Sequence, residues 1–236
     1  MVLKKDRYFS KKGNPYITFT PPTGKTTQEN AGYSNRAEIN KVIEVSKQEL
    51  SSNIHQYLKT GDKILDIGCG PGMYLSLFKN SNFRLYATDI NSHMIVLAKQ
   101  NVSNATFYHG DFNELKVDEK FNFIYCIGVL IYIPPSELEY FFSKIYSMLE
   151  DNGIFYLNFP HAISYFDTLF KDITYVQYSP NYIRKKLSGK FEILTDKHAS
   201  DGRFIESYDK KPYKSLNPDT QRTYKNSYLL IAKKKL

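Results

Sequence analysis

The sequence predicts an α/β fold: a doubly wound, seven-stranded, mostly parallel sheet with an antiparallel edge hairpin and an N-terminal helical cap. Two observations carry this expectation. Short β-branched and aromatic runs alternate with helical patterns from residue 63 to residue 194, as crossover helices between parallel strands require. The last two strand-like runs then follow with no helical pattern between them, which suits an antiparallel pair. At 236 residues the chain is long enough for one domain that buries roughly 70% of its unfolded surface.

Residues 1–35 are polar, carry Gly13, Pro15, Pro21, Pro22 and Gly24, and show no sustained period. They are expected to form an extended arm or cap, with residues 36–236 as a single domain. Between Arg36 and Leu58 the apolar residues Ile39, Val42, Ile43, Leu50, Ile54 and Leu58 recur at helical spacing. Strands are predicted at Lys63–Ile67, Arg84–Thr88, Thr106–His109, Phe123–Ile127, Ile154–Phe159, Phe191–Leu194 and Ser227–Ala232. A helix runs through Met94, Leu97 and Ala98. Another spans Ser136–Leu149, opened by a capping box, Ser136-x-x-Glu139, and burying Leu138, Phe141, Phe142, Ile145 and Leu149. Ser179-Pro180 reads as an N-cap with proline at the first helical position, and Gly189 as the C-terminal cap.

Hydrophobic residues make up 42% and charged residues 24%, which excludes a disordered tail, a collagen and a membrane-spanning chain. The opening Met1-Val2-Leu3-Lys4-Lys5-Asp6 lacks an apolar leader core, so a mature cytoplasmic N-terminus is expected. Two cysteines, Cys69 and Cys126, make no disulfide framework, and with five scattered histidines no metal site is expected. Net charge is +8, distributed as +5 over residues 1–60, −5 over 61–179 and +8 over 180–236. Basic flanks either solvate the chain or meet an anionic partner.

The segment richest in chemistry is Asp66-Ile67-Gly68-Cys69-Gly70-Pro71-Gly72, which follows the first strand and is expected to open a helix. Glycines there let backbone N–H groups approach a ligand closely, and a helix N-terminus would favour an anionic group. Asp89 closes the second strand, where an acid accepts both hydroxyls of a ribose. The glycines run G-x-G-x-G, not the G-x-G-x-x-G of dinucleotide sites.

Taken together, D-I-G-C-G-P-G, A-T-D-I-N, H-G-D-F and C-I-G-V-L-I-Y-I-P closely resemble the motifs of class I S-adenosylmethionine-dependent methyltransferases, over roughly residues 60–160. The resemblance implies a Rossmann-like methyltransferase fold and S-adenosyl-L-methionine as cofactor, with S-adenosyl-L-homocysteine as product. It implies that Gly68, Cys69, Gly70 and Gly72 pack on the methionine part of the cofactor, with Asp66 orienting its amino group. Asp89 would hold the ribose, Ile90 and Met94 would lie by the adenosine, and Asp111 would accept from the adenine amino group beside Phe112. Ile127 and Gly128 would line the amino-acid end, and Tyr33 and Arg36 would reach the carboxylate from the N-terminal cap. Read on its own, Asp111 also suits a turn cap with Asn113, and Cys69 a small loop filler. Cys126, Tyr125, Tyr146 and Tyr156 read as core.

Methyl transfer to a hydroxyl needs a general base. His161, after the fifth strand, is the first candidate, a hydrogen-bonded loop histidine being its alternative; His109 follows, while His55 and His93 read as surface residues. Tyr132 is a candidate wall of the acceptor pocket. Tyr8, Tyr16, Tyr208, Tyr213 and Tyr224, beside Lys and Arg in polar segments, suit sugars or nucleotides. The expected acceptor is a small anionic molecule, a sugar, nucleotide-sugar or small metabolite, methylated on O or N. RNA ranks below it, because the positive charge is spread through loops and not arranged as a stripe. A non-catalytic cofactor-binding module and a nucleotide-cofactor oxidoreductase are the readings from other classes.

Overall fold

Seven strands form one sheet in the order β3-β2-β1-β4-β5-β7-β6. The computed structural model describes residues 36–160, 178–198 and 227–236. In chain order its elements are α1 (Arg36–Tyr57), β1 (Lys63–Ile67), a 3-10 turn (Leu75–Phe78), β2 (Arg84–Asp89), α2 (Ser92–Asn101) and β3 (Thr106–His109). Then come β4 (Phe121–Ile127), a second 3-10 turn (Leu130–Tyr132), α3 (Pro135–Met148), β5 (Leu149–Pro160), α4 (Pro180–Leu187), β6 (Phe191–His198) and β7 (Ser227–Lys234). Strands β1 to β5 pair in parallel, and β7 runs antiparallel to both β5 and β6.

Period-2 alternation sorts the side chains into two cores. On one face Ile64, Phe123, Tyr125, Tyr156 and Ile231 pack under Leu50 and Ile54 of α1 and Ile95 and Ala98 of α2. On the other, Leu65, Ile67, Ile124, Cys126 and Leu157 pack under Leu138, Phe141, Phe142 and Ile145 of α3 and Ile183 and Leu187 of α4. Both cysteines are buried free thiols.

Four local expectations are corrected. The glycine segment opens no α-helix, only the four-residue turn Leu75–Phe78. Gly72 sits at φ 79°, with α2 against it, and the chain must turn again by Ser81, whose N–H donates to Phe78 O at 2.9 Å. The glycine segment therefore presents no α-helix N-terminus of its own to the site. The capping box does not form: α3 starts at Pro135, its N-cap Pro134 has no capping side chain, and Glu139 bonds instead to Lys190 (2.8 Å) and Lys186 (3.4 Å). Ser179 does cap α4, its Oγ accepting from Tyr182 N at 3.2 Å, but the helix closes on Ser188, and Gly189 has no left-handed φ. Five strands outrun their expected limits: β2 reaches Asp89, β4 begins at Phe121, β5 at Leu149, β6 reaches His198 and β7 reaches Lys234. Ladder pairing with a neighbour extends a strand past its hydrophobic run.

Candidate functional site

The order of the sheet reverses at β1, which has β2 on one side and β4 on the other. Open α/β sheets leave a crevice at the carboxyl ends of such strands, and here a cavity of about 280 Å³ opens. Ile67, Gly68 and Gly70 come to it from β1 and its loop, and Thr88, Asp89, Ile90 and Asn91 from the end of β2, with Met94 of α2 beside them. Gly110, Asp111 and Phe112 follow β3; Ile127 ends β4 and Gly128, Val129, Tyr132 and Ile133 follow it; Phe141 of α3 completes the lining.

The loop after β1 is an elbow hung on the end of β2. Gly68 N and Cys69 N both donate to Thr88 O, at 2.8 and 2.9 Å. Gly68 has φ 73°, and a Cβ built on it would lie 2.2 Å from Cγ2 of Val129, so only glycine lets the loops after β1 and β4 approach so closely. Asp89 ties the same elbow from its side chain. Its Oδ2 accepts from Gly70 N and its Oδ1 from Asn91 N, each at 2.8 Å. A carboxylate oxygen has a further lone pair, so both oxygens can accept another donor from the cavity that Asp89 lines. Two acceptors on one planar group match two neighbouring hydroxyls. Burial raises the Asp89 carboxyl above its ordinary pKa, against the backbone N–H bonds from Asn91 and Gly70 that favour the ionised form.

Asp66 stands behind this wall, not on it. It is 3% exposed, and its Oδ2 accepts from Tyr125 OH at 2.8 Å. Burial, with the neighbouring Asp89 charge adding to it, pushes the Asp66 carboxyl up to about 8, against the Tyr125 hydrogen bond that favours the ionised form. The folded chain therefore holds a proton that the unfolded chain loses near 3.8. Between those values the native state binds more protons, so stability falls as pH rises from about 4 to about 8 and then levels. Asp66→Asn keeps an acceptor for Tyr125 and removes the titration. Its stability advantage over the parent should grow across that window to on the order of 2–4 kcal/mol. Urea denaturation of both proteins at pH 5 and pH 8 measures this, and parallel behaviour of the two would contradict the assignment.

Cys69 and Gly72 also lie off the cavity wall. Cys69 is buried with Sγ 3.4 Å from Gly70 O, its thiol driven up by burial and by the Asp66 and Asp89 charges, so it fills the loop and is no nucleophile. Gly72 packs on Ala98 of α2, whose Cα would lie 3.3 Å from an added Cβ. Asp111 serves its turn and faces the cavity at once: Oδ1 accepts from Asn113 N at 3.0 Å. His109 is exposed, its Nε2 donating to Ile90 O at 3.1 Å, and His55 and His93 are exposed on helices. Tyr33 and His161, with Tyr8, Tyr16, Tyr208, Tyr213 and Tyr224, lie outside the described residues, as does the side chain of Arg36, the first residue of α1.

Sequence reasoning passed over Asn91, Val129, Phe141 and Tyr125. Only Asn91 carried a local signal, since Asn before a helical run is a good N-cap; its side chain accepts from His93 N and Met94 N. The others reach the site through tertiary packing.

Residues 64–153 match the family model of the methyltransferase domain. A relative in Geobacillus sp. (strain WCH70), named as a methyltransferase, is 27% identical over 130 residues, 52% of this chain and 52% of the relative. The sterol 24-C-methyltransferase of Pneumocystis carinii is 29% identical over 121 residues, 47% of this chain and 31% of that enzyme. The chain thus spans about half the length of the first relative and about a third of the second. Among solved structures, magnesium protoporphyrin IX methyltransferase from Synechocystis PCC 6803, crystallised with S-adenosylhomocysteine, superposes with a TM-score of 0.61 at 20% identity, over 88% of this chain and 92% of that one. The seven-stranded, mostly parallel sheet with its antiparallel edge strands is the Rossmann-like fold of these methyltransferases. Residues 64–153 thus match a methyltransferase domain, and the described fold is shared with S-adenosylmethionine-dependent methyltransferases of solved structure.

Proposed function

We propose that this chain transfers a methyl group from S-adenosyl-L-methionine to a small anionic acceptor, on O or N. The observation that carries the reading is Asp89, whose carboxylate holds the elbow N–H of Gly70 and the N–H of Asn91 while facing the cavity. In this reading Asp89 takes the ribose hydroxyls, and Ile90 and Met94 pack on the adenosine. Asp111 accepts from the adenine amino group, Phe112 flanks the ring, and Gly68, Ile127 and Gly128 leave room for the amino-acid end. Asp66 assists the cofactor's amino group from behind the elbow, with Cys69 and Gly72 shaping the loop, and Tyr33 of the arm and Arg36 at the start of α1 reach the carboxylate. When bound, the cofactor supplies a methyl on a sulfonium, already activated for attack by an aligned lone pair. What remains for the protein is to align the acceptor, for which Tyr132 is a wall, and to remove its proton.

The anionic character of the acceptor rests on the +5 and +8 charges of residues 1–60 and 180–236. Among the described residues that line the cavity none is basic, so the acceptor's charge would be met by those flanking segments. The same reading takes residues 1–35 as a cap on a single domain, 36–236, acting in the cytoplasm; among the described residues no helix is long and apolar enough to cross a membrane.

Calorimetric titration is expected to give binding of S-adenosylhomocysteine and none of NADH; the reverse would favour an oxidoreductase. Transfer of labelled methyl groups to sugar phosphates, nucleotide-sugars or small acids, and not to RNA or neutral analogues, is the expected second result. Tight cofactor binding with no transfer to any of them would favour a binding module. His161→Ala should lower kcat for a hydroxyl acceptor by about 100-fold or more with affinity for S-adenosylhomocysteine unchanged. An unaltered kcat would leave His161 a loop residue.

A further inference from the structure

One face of α3 grips the loop that follows β3. Glu137, Phe141 and Lys144 stand four and three residues apart, so they share a face of the helix. Glu137 Oε2 accepts from Asn113 Nδ2 at 3.3 Å. Phe141 meets the Phe112 ring edge-on, centroids 5.3 Å apart, and both rings line the cavity. Lys144 reaches farthest: its Nζ donates to Phe112 O at 2.5 Å, to Asn113 O at 3.2 Å and to Leu115 O, and lies 5.1 Å from the Phe112 ring centroid. One ammonium thus gathers three carbonyls of a single turn and lies against its aromatic ring. It does not line the cavity. Loop carbonyls otherwise turn to water, and a half-buried cation is costly to desolvate, so the arrangement holds the turn in one shape. Within the turn itself the Asp111 carbonyl accepts from Glu114 N (2.9 Å) and Leu115 N (3.0 Å).

We propose that Lys144 is a positioning residue for base recognition: it sets the turn 111–115 so that Asp111 and Phe112 meet the purine, and thereby tunes selectivity for its 6-amino group without touching it. The proposal rests on the reading that the cavity takes an adenosyl cofactor. A base-reading loop needs this support because a carboxylate that accepts from one amino group must be held to within a few tenths of an ångström, and only the short strand β3 precedes it.

The test is calorimetric binding of S-adenosylhomocysteine and of its 6-oxo analogue, S-inosylhomocysteine, to the parent, Lys144→Met, Lys144→Arg, Asp111→Ala and the Lys144→Met/Asp111→Ala double variant. The expected result is an adenosyl preference in the parent that falls about tenfold in Lys144→Met, returns in part in Lys144→Arg, and falls no further in the double variant than in Asp111→Ala alone. Equal losses for both ligands in Lys144→Met, an unchanged preference, or fully additive losses in the double variant would overturn the proposal. If Lys144→Met does not fold, Lys144→Arg decides: a preference as low as in Asp111→Ala, or lost for both ligands equally, overturns it. A parent protein that binds neither ligand would sink the cofactor reading itself, a separate outcome.

Discussion

Asp89→Ala is expected to weaken binding of S-adenosylhomocysteine by roughly 1.5–3 kcal/mol, about 10- to 150-fold, while the fold survives. Two causes act together. The charged acceptor for the ribose hydroxyls is removed, and the N–H groups of Gly70 and Asn91 lose the carboxylate that fixes the two loops relative to each other. Removal also relieves the cost of burying that carboxylate, which raises its pKa, so the stability loss should be smaller than the binding loss. Asp89→Asn sharpens the reading, because its amide nitrogen would face one of the two N–H donors. It should bind nearly as poorly as the alanine variant. Calorimetry on the three proteins measures this, and retained affinity in the alanine variant would remove Asp89 from the site.

Gly68→Ala should cost both stability and binding. At φ 73° an L-residue is strained by about 1–2 kcal/mol, and the new Cβ would stand 2.2 Å from Val129 Cγ2. Both loops are pinned, the first by two N–H bonds to Thr88 O, so the collision displaces the elbow at the cavity. Affinity for S-adenosylhomocysteine should fall more than tenfold. Val129→Ala in the same chain removes the colliding methyl and should restore part of that loss, leaving the backbone strain. Gly128→Ala is the matched control: its φ is 72° and nothing lies within 4 Å of its Cβ position, so it should show strain alone. Equal behaviour of Gly68→Ala and Gly128→Ala would refute the steric account.

Much of the scaffold was legible because its signals are local. Strands β1 and β3 lie where short apolar runs between turn residues put them, and Ser179-Pro180 opens α4 as its chemistry requires. Asp89 and Asp111 were legible as positions because each ends or closely follows a predicted strand, at the carboxyl end where an open α/β sheet leaves its crevice. The capping box failed because a better partner arrived from elsewhere: Glu139 meets Lys190, 51 residues away. The missing α-helix after the elbow reflects packing of Gly72 on α2, which no window around Gly72 contains.

By itself, then, the sequence determined the order of strands and helices, the glycine elbow and the acids beside it, since periodicity and turn chemistry act over a few neighbours. Only the tertiary structure decided that Asp66 lies behind the cavity on Tyr125, that Val129 demands glycine at 68, and that Lys144 reaches the turn after β3. Those pairings join residues 59, 61 and 32 apart. They follow from parallel register and from the face each helix turns to the sheet, which depend on the packing of the whole core.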